Sequence, residues 1–101
     1  MVVTYQLALA ASPTKRLSDV YGGTASVPDE AKNIPYRQLV ITTTGAGATL
    51  GGTSGVTAGT GFVLATTGQL VLGPFSTGPV KLSDLWGFGA GATVTVLGVP
   101  F

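Results

Sequence analysis

Residues 36–44 read YRQLVITTT. Aromatic and β-branched side chains crowd this stretch, and Pro35 precedes it, so it reads as the best β-strand in the chain. Its third residue opens a run, from Gln38 to Val80, with no Lys, Arg, Asp, Glu or His. Thr is the uncharged polar residue best suited to a strand, and Gly suits tight turns. Thr on solvent faces and Gly at corners can therefore build a wettable sheet without charge. Such a sheet does nothing to repel partners. Exposed strand edges are usually guarded by charge, and its absence implies edges covered by another subunit.

Strand signals continue on both sides. Val3, Tyr5, Leu7 and Leu9 alternate with Thr4, Gln6 and Ala8, the period of two of a half-buried strand. Leu17–Tyr21 is a weaker strand. Gly22–Asn33 collects turn formers and charges and reads as an exposed loop, the most hydrated part of the chain. Beyond the Gly45-Ala46-Gly47 turn come short strands at Ala48–Gly51, Phe62–Ala65 and Leu70–Leu72. A segment Leu82–Phe88 and a closing strand Thr93–Val99 follow. Pro74, Gly78 and Pro79 break the chain between them. About eight short strands separated by turns, with almost no helical periodicity, predict an all-β fold. The expected form is a small antiparallel β-sandwich of the jelly-roll kind, a single domain over residues 1–101 with 22–33 as its loop. No fixed repeat holds for more than two units, which argues against a solenoid or fibre.

Composition narrows the function. The 101 residues are 45% apolar but only 9% charged, with net charge +1, against a usual charged share of about 25%. Nucleic-acid binding wants clustered basic residues, and here only Lys15 and Arg16 adjoin. No stretch is apolar for the ~18 residues a membrane helix needs. The N-terminal MVVTYQLALAASPTKRL lacks a basic start and reads as a strand rather than a secretion signal. Without Cys or His there is no disulfide, no Cys/His zinc site and no His-based nucleophile system. GAGATLGG lacks the helix and acid of a dinucleotide site, and GGTSGVTAGTG lacks the Lys of a phosphate loop. The carboxylates Asp19, Asp29, Glu30 and Asp84 form no evident acid/base pair, and Asp84 reads as a turn or cap residue. The chain is therefore expected to be no enzyme and to need no cofactor or metal.

Trp86, Phe88 and Phe62 read as core residues, with stacking on a sugar or a neighbouring subunit as the alternative for Trp86. Phe101, the last residue, either folds back on its own domain or inserts into a partner. Arg37 is the lone charge of the best strand. It is expected either to pair with Asp84 or Glu30 or to reach an acidic patch on a partner.

The order of segments is itself informative: IPYRQLVI (34–41), a Gly-rich turn into LGGTSGVT (50–57), GTGFVLATTGQLVLGPF (59–75), STGPVKLSDLWGFG (76–89) and GATVTVLGVPF (91–101). In this order the chain resembles the cement, or decoration, proteins on the heads of tailed bacteriophages. The resemblance covers residues 34–101 well and the N-terminal third loosely. Residues 26–33 depart from it, so no contact residue is carried over there. It implies a non-enzymatic virion structural protein, made in the host cytoplasm and placed on the outer capsid surface. Its partner would be the major capsid protein, and it would be a homo-oligomer, dimer or trimer. Tyr36, Arg37, Trp86 and Phe101 are the expected interface residues. The alternative is a receptor- or carbohydrate-binding β-domain of a tail fibre or neck, with Trp86 and Tyr36 as stacking platforms.

Overall fold

The computed structural model describes residues 2–20, 24–76 and 79–101. The end of the expected 17–21 strand, the start of the 22–33 loop and the break at Gly78 lie outside these. Eight strands run β1 (Val3–Ala8), β2 (Lys15–Arg16), β3 (Tyr36–Gly45), β4 (Ala48–Gly51), β5 (Phe62–Leu64), β6 (Gln69–Leu72), β7 (Trp86–Phe88) and β8 (Ala92–Pro100). Each pairs antiparallel with its counterpart counted from the other end: β1 with β8, β2 with β7, β3 with β6, β4 with β5. Further ladders join β8 to β3 and β7 to β4. The result is two four-stranded sheets, β1-β8-β3-β6 and β2-β7-β4-β5. A long hairpin rolled in this way is the eight-stranded jelly roll, and the all-β sandwich expected from the sequence is the fold observed.

The alternation works as the strand period requires. Val3, Tyr5 and Leu7 of β1, Leu39 and Ile41 of β3, and Val94 and Val96 of β8 point inward and are fully buried. Ala48, Leu50 and Leu64 face them from the second sheet. Leu17 and Leu82 close the core from 3-10 turns at Leu17–Asp19 and Leu82–Asp84. Those turns correct two expected strands: Leu17–Asp19 is a turn preceded by the two-residue β2, and only Trp86–Phe88 of the 82–88 segment pairs as a strand. Asp84 is the expected capping residue, its Oδ2 accepting the Lys81 N–H at 2.9 Å.

Two glycines are fixed by geometry. Gly45 ends β3 at φ +83°, a conformation side chains disfavour. Gly98 of β8 packs against the Tyr36 ring, and a Cβ there would come within 2.4 Å of its Cε1. Thr43 shows that not every Thr of the charge-free run faces solvent. It is buried, and its hydroxyl donates to the Ala65 carbonyl at 2.7 Å. That bond ties the 65–68 turn, which crosses from one sheet to the other, back onto β3.

The loop expected to be the most hydrated holds a buried cation. Residues 24–30 are largely exposed, but Lys32 is only 1% exposed. Its Nζ donates to the Val20 carbonyl and lies 5.9 Å from the Tyr5 ring centroid. The hydroxyls of Tyr5 and Tyr36 donate to the Pro28 and Lys32 carbonyls, at 3.1 and 3.2 Å. These bonds fasten residues 28–32 to the core. Burial lowers the Lys32 pKa, opposed by Asp29 and Asp19. Burial, with Tyr5 nearby, pushes the Tyr36 hydroxyl up to about 12. Tyr5 is raised too, by burial first and then by Asp29 and Glu30.

These shifts predict an alkaline stability profile. Below 10.5 the unfolded chain holds the lysine proton more tightly than the fold does. The cost of burying Lys32 is therefore relieved as pH rises through its lowered value. Above 10 the unfolded tyrosine releases its proton while folded Tyr36 keeps it to about 12, so stability is then lost. Urea titrations followed by circular dichroism should show stability falling by about 2–3 kcal/mol between pH 10 and 12. Tyr36→Phe should remove most of that fall.

Candidate interaction surface

The outer faces of the two sheets differ. On the β2-β7-β4-β5 sheet, residues 52–61 fold back over β4. Val56 packs against the positions of Gly51 and Gly61, and Thr49 is buried beneath. The outer face of the β1-β8-β3-β6 sheet has no such cover among the described residues.

The strand registers of that open face give its composition row by row. One row is Thr4, Leu97, Val40 and Val71; the next is Gln6, Thr95, Thr42 and Gln69; a third is Ala8, Thr93 and Thr44. Beside the first row Val99 stands opposite Gln38. No residue in these rows is charged. Leu97 and Val71 are 41% and 47% exposed, so the first row forms an apolar band, bordered on one side by the polar second row. Lone exposed apolar residues are ordinary, but a band of them on an uncharged face marks an interaction surface.

The charged residues are placed elsewhere. Lys15 and Arg16 form β2, Asp19 ends the turn after it, Asp29 and Glu30 sit in a third 3-10 turn, and Lys81 and Asp84 flank the Leu82–Asp84 turn. These segments are joined to one another. The Leu17–Asp19 and Leu82–Asp84 turns pack together, and the Ser83 N–H donates to Asn33 Oδ1 at 3.2 Å. The molecule thus has a charged flank along β1 and β2 and an uncharged flank along β5 and β6.

Arg37 is the exception, and a β-bulge explains it. The register shifts between Tyr36 and Gln38, which inserts Arg37 as an extra residue and leaves it exposed at the end of the open face. Its guanidinium lies 5.3 Å from the centroid of the Phe101 ring. Pro74, Phe75 and Ser76 line an open depression of about 420 Å³ beside it. Among the described residues it forms no ion pair, so neither Asp84 nor Glu30 is its partner. Phe101 folds back on its own domain, its N–H reaching the Pro35 carbonyl at 3.4 Å, yet half of it stays exposed.

The four expected interface residues therefore separate. Arg37 and Phe101 stand together at one end of the open face. Tyr36 is 0% exposed and belongs to the core, so it offers neither an interface nor a stacking surface. Its neighbour Arg37 takes the exposed position because the bulge resets the alternation. Trp86 lies on the other sheet and is half-buried, with Arg16 stacked 4.8 Å from its ring centroid. Phe88 shares its outward face, and Phe62 is 53% exposed. None of these three is the core residue expected. Gly87 takes the inward position between Trp86 and Phe88, opposite Leu50, and that sets both aromatics outward. The residues that the sequence reading passed over are Val40, Val71, Leu97 and Val99. Their signal was the phase of each alternation, which becomes readable only once the facing strands are known.

The class defined by this geometry is a jelly-roll domain with one uncovered, uncharged sheet face. No protein-family model, curated protein or solved structure matches the chain.

Proposed function

We propose that this chain is a non-enzymatic virion structural protein that binds the outer surface of a tailed-phage capsid and stabilises the shell. The observation that carries the reading is the open face of the β1-β8-β3-β6 sheet, whose rows hold an apolar band and no charge, with Arg37 alone at its end. Such a face loses little on desolvation and suits a partner met over a broad, weakly polar area. The order of the sequence segments supports the same reading. So does the jelly roll, an architecture that recurs in viral capsid and lectin domains, although fold alone does not specify function. Many weak copies on a repeating lattice give high total avidity without any strong single contact. A glycan-binding role has less support, because the exposed side of Trp86 is already occupied by Arg16.

The test is reconstitution. Purified protein mixed with undecorated heads of the phage that encodes it should sediment with them and raise their temperature of disruption. Failure to bind, with binding to an isolated glycan instead, would overturn the reading. Arg37 makes this sharper. With no ion pair inside the domain, Arg37→Ala should leave stability within about 0.5–1 kcal/mol, the range of an exposed cation–π contact. Head binding should weaken about three- to tenfold, the range of a rim charge that meets an acidic partner.

A further inference from the structure

Each sheet ends in two edge strands, and the protein treats its edges unequally. The outer edge of β1 is covered by the chain itself. The Gln6 N–H donates to the Thr24 carbonyl at 2.8 Å and the Ser26 N–H to the Thr4 carbonyl at 2.9 Å, around a Tyr5–Ala25 bridge. The edge strand β2 is two residues long, and both are exposed cations. Covering, shortness and charge are the ordinary protections of a sheet edge.

The opposite flank is short-stranded too, but among the described residues it has neither cover nor charge. Neither β5, with sequence FVL, nor β6, with sequence QLVL, holds a charge or a proline. Among the described residues, their ladder bonds run only inward, to β4 and β3. Phe62, Val63 and Val71 are 53%, 59% and 47% exposed along this flank. An unguarded apolar edge in a fold that guards its other two is a site for strand addition.

We propose that β6 pairs antiparallel with β6 of a second copy about a two-fold axis, so that the two β1-β8-β3-β6 sheets become one continuous sheet. A second copy is the occupant because of the charge distribution. On a two-fold axis a residue faces its own duplicate, and close to the axis it lies near it, so a charge there meets a like charge. Residues 38–80 contain none. A strand from a different protein would place no such requirement on this flank. An axis perpendicular to the sheet keeps outer residues on the outer face. Val71 then stands opposite its duplicate, and half-buried Leu70 opposite Leu72 of the second copy. The uncharged outer faces join without a break. The inference stands on the edges and the charges, and a failure of head binding leaves it untouched.

Sedimentation velocity of the purified chain, from micromolar to sub-millimolar concentration, tests it together with amide exchange. A monomer–dimer equilibrium is expected, with amides of residues 69–72 slowed in the dimer and those of 3–8 unchanged. Val71→Lys should set two like charges face to face and weaken the dimer by at least roughly 30-fold, while its circular dichroism stays that of the parent. If Val71→Lys does not fold, the exchange pattern of the parent chain decides by itself: slowing at 69–72 with concentration supports the pairing, and its absence overturns it. A chain that stays monomeric, a trimer, open-ended aggregation, or a dimer indifferent to the lysine would each overturn the pairing.

Discussion

Gly98→Val is expected to destabilise the protein by about 3 kcal/mol, at the upper end of the cost of overpacking a core. Local propensity predicts the opposite sign. Gly weakens a strand and Val favours one, a difference of up to ~1 kcal/mol in the variant's favour. The close approach decides the contest. A Cβ at Gly98 falls 2.4 Å from Cε1 and 2.6 Å from Cδ1 of Tyr36. That ring is fully buried and held by its hydroxyl on the Lys32 carbonyl, so it cannot swing outward cheaply. For a domain of this size the loss corresponds to a melting temperature lower by roughly 12–24 °C. Gly98→Val in a Tyr36→Leu background, which lacks the ring edge, should recover most of the penalty. A double-mutant cycle in urea would show the coupling, and purely additive effects would contradict the packing argument.

Val40→Lys should weaken head binding by about 2–4 kcal/mol, or roughly 30- to 1000-fold, and leave the fold intact. Val40 lies on a central strand of the open face, between Leu97 and Val71. A lysine there reaches solvent in the free protein, so stability should change by no more than about 0.5 kcal/mol. Against a shell it becomes an unpaired charge stripped of water, which is the costly case. Thr53→Lys is the control, because Thr53 is exposed on the segment that covers the other sheet. Its binding should match the parent. Equal losses from both substitutions would mean that the open face is not the docking surface.

The sandwich was legible because its long strands declare themselves locally. The alternations of Val3 to Leu9 and Thr93 to Val99 carry their own phase, and β3 is dense in β-branched residues. The short elements carry no such signal. Lys15–Arg16 is extended only because it pairs with Trp86–Gly87, and the Leu17–Asp19 turn serves a core assembled from distant segments. The interior of the loop was hidden for the same reason. Nothing in the spacing of Lys32 shows that its ammonium is enclosed between Val20 and Tyr5. The aromatics misled by their size. In WGF, alternation allows either the glycine or the aromatics to face inward, and the opposing Leu50 filled the space that makes Gly87 the inward residue. For Arg37 the sequence leaves an internal ion pair and a reach to a partner both open, and for Phe101 a fold-back and an insertion; in the fold both are exposed. The placement of Tyr36 depended on a bulge that the sequence does not mark.

The most direct test of a shell-coating role is the number of copies of this chain in purified particles, by quantitative mass spectrometry against the major shell protein. Hundreds of copies are expected, in fixed ratio to the shell subunits. A dozen copies or fewer would contradict that role and would place the chain at a neck or tail position.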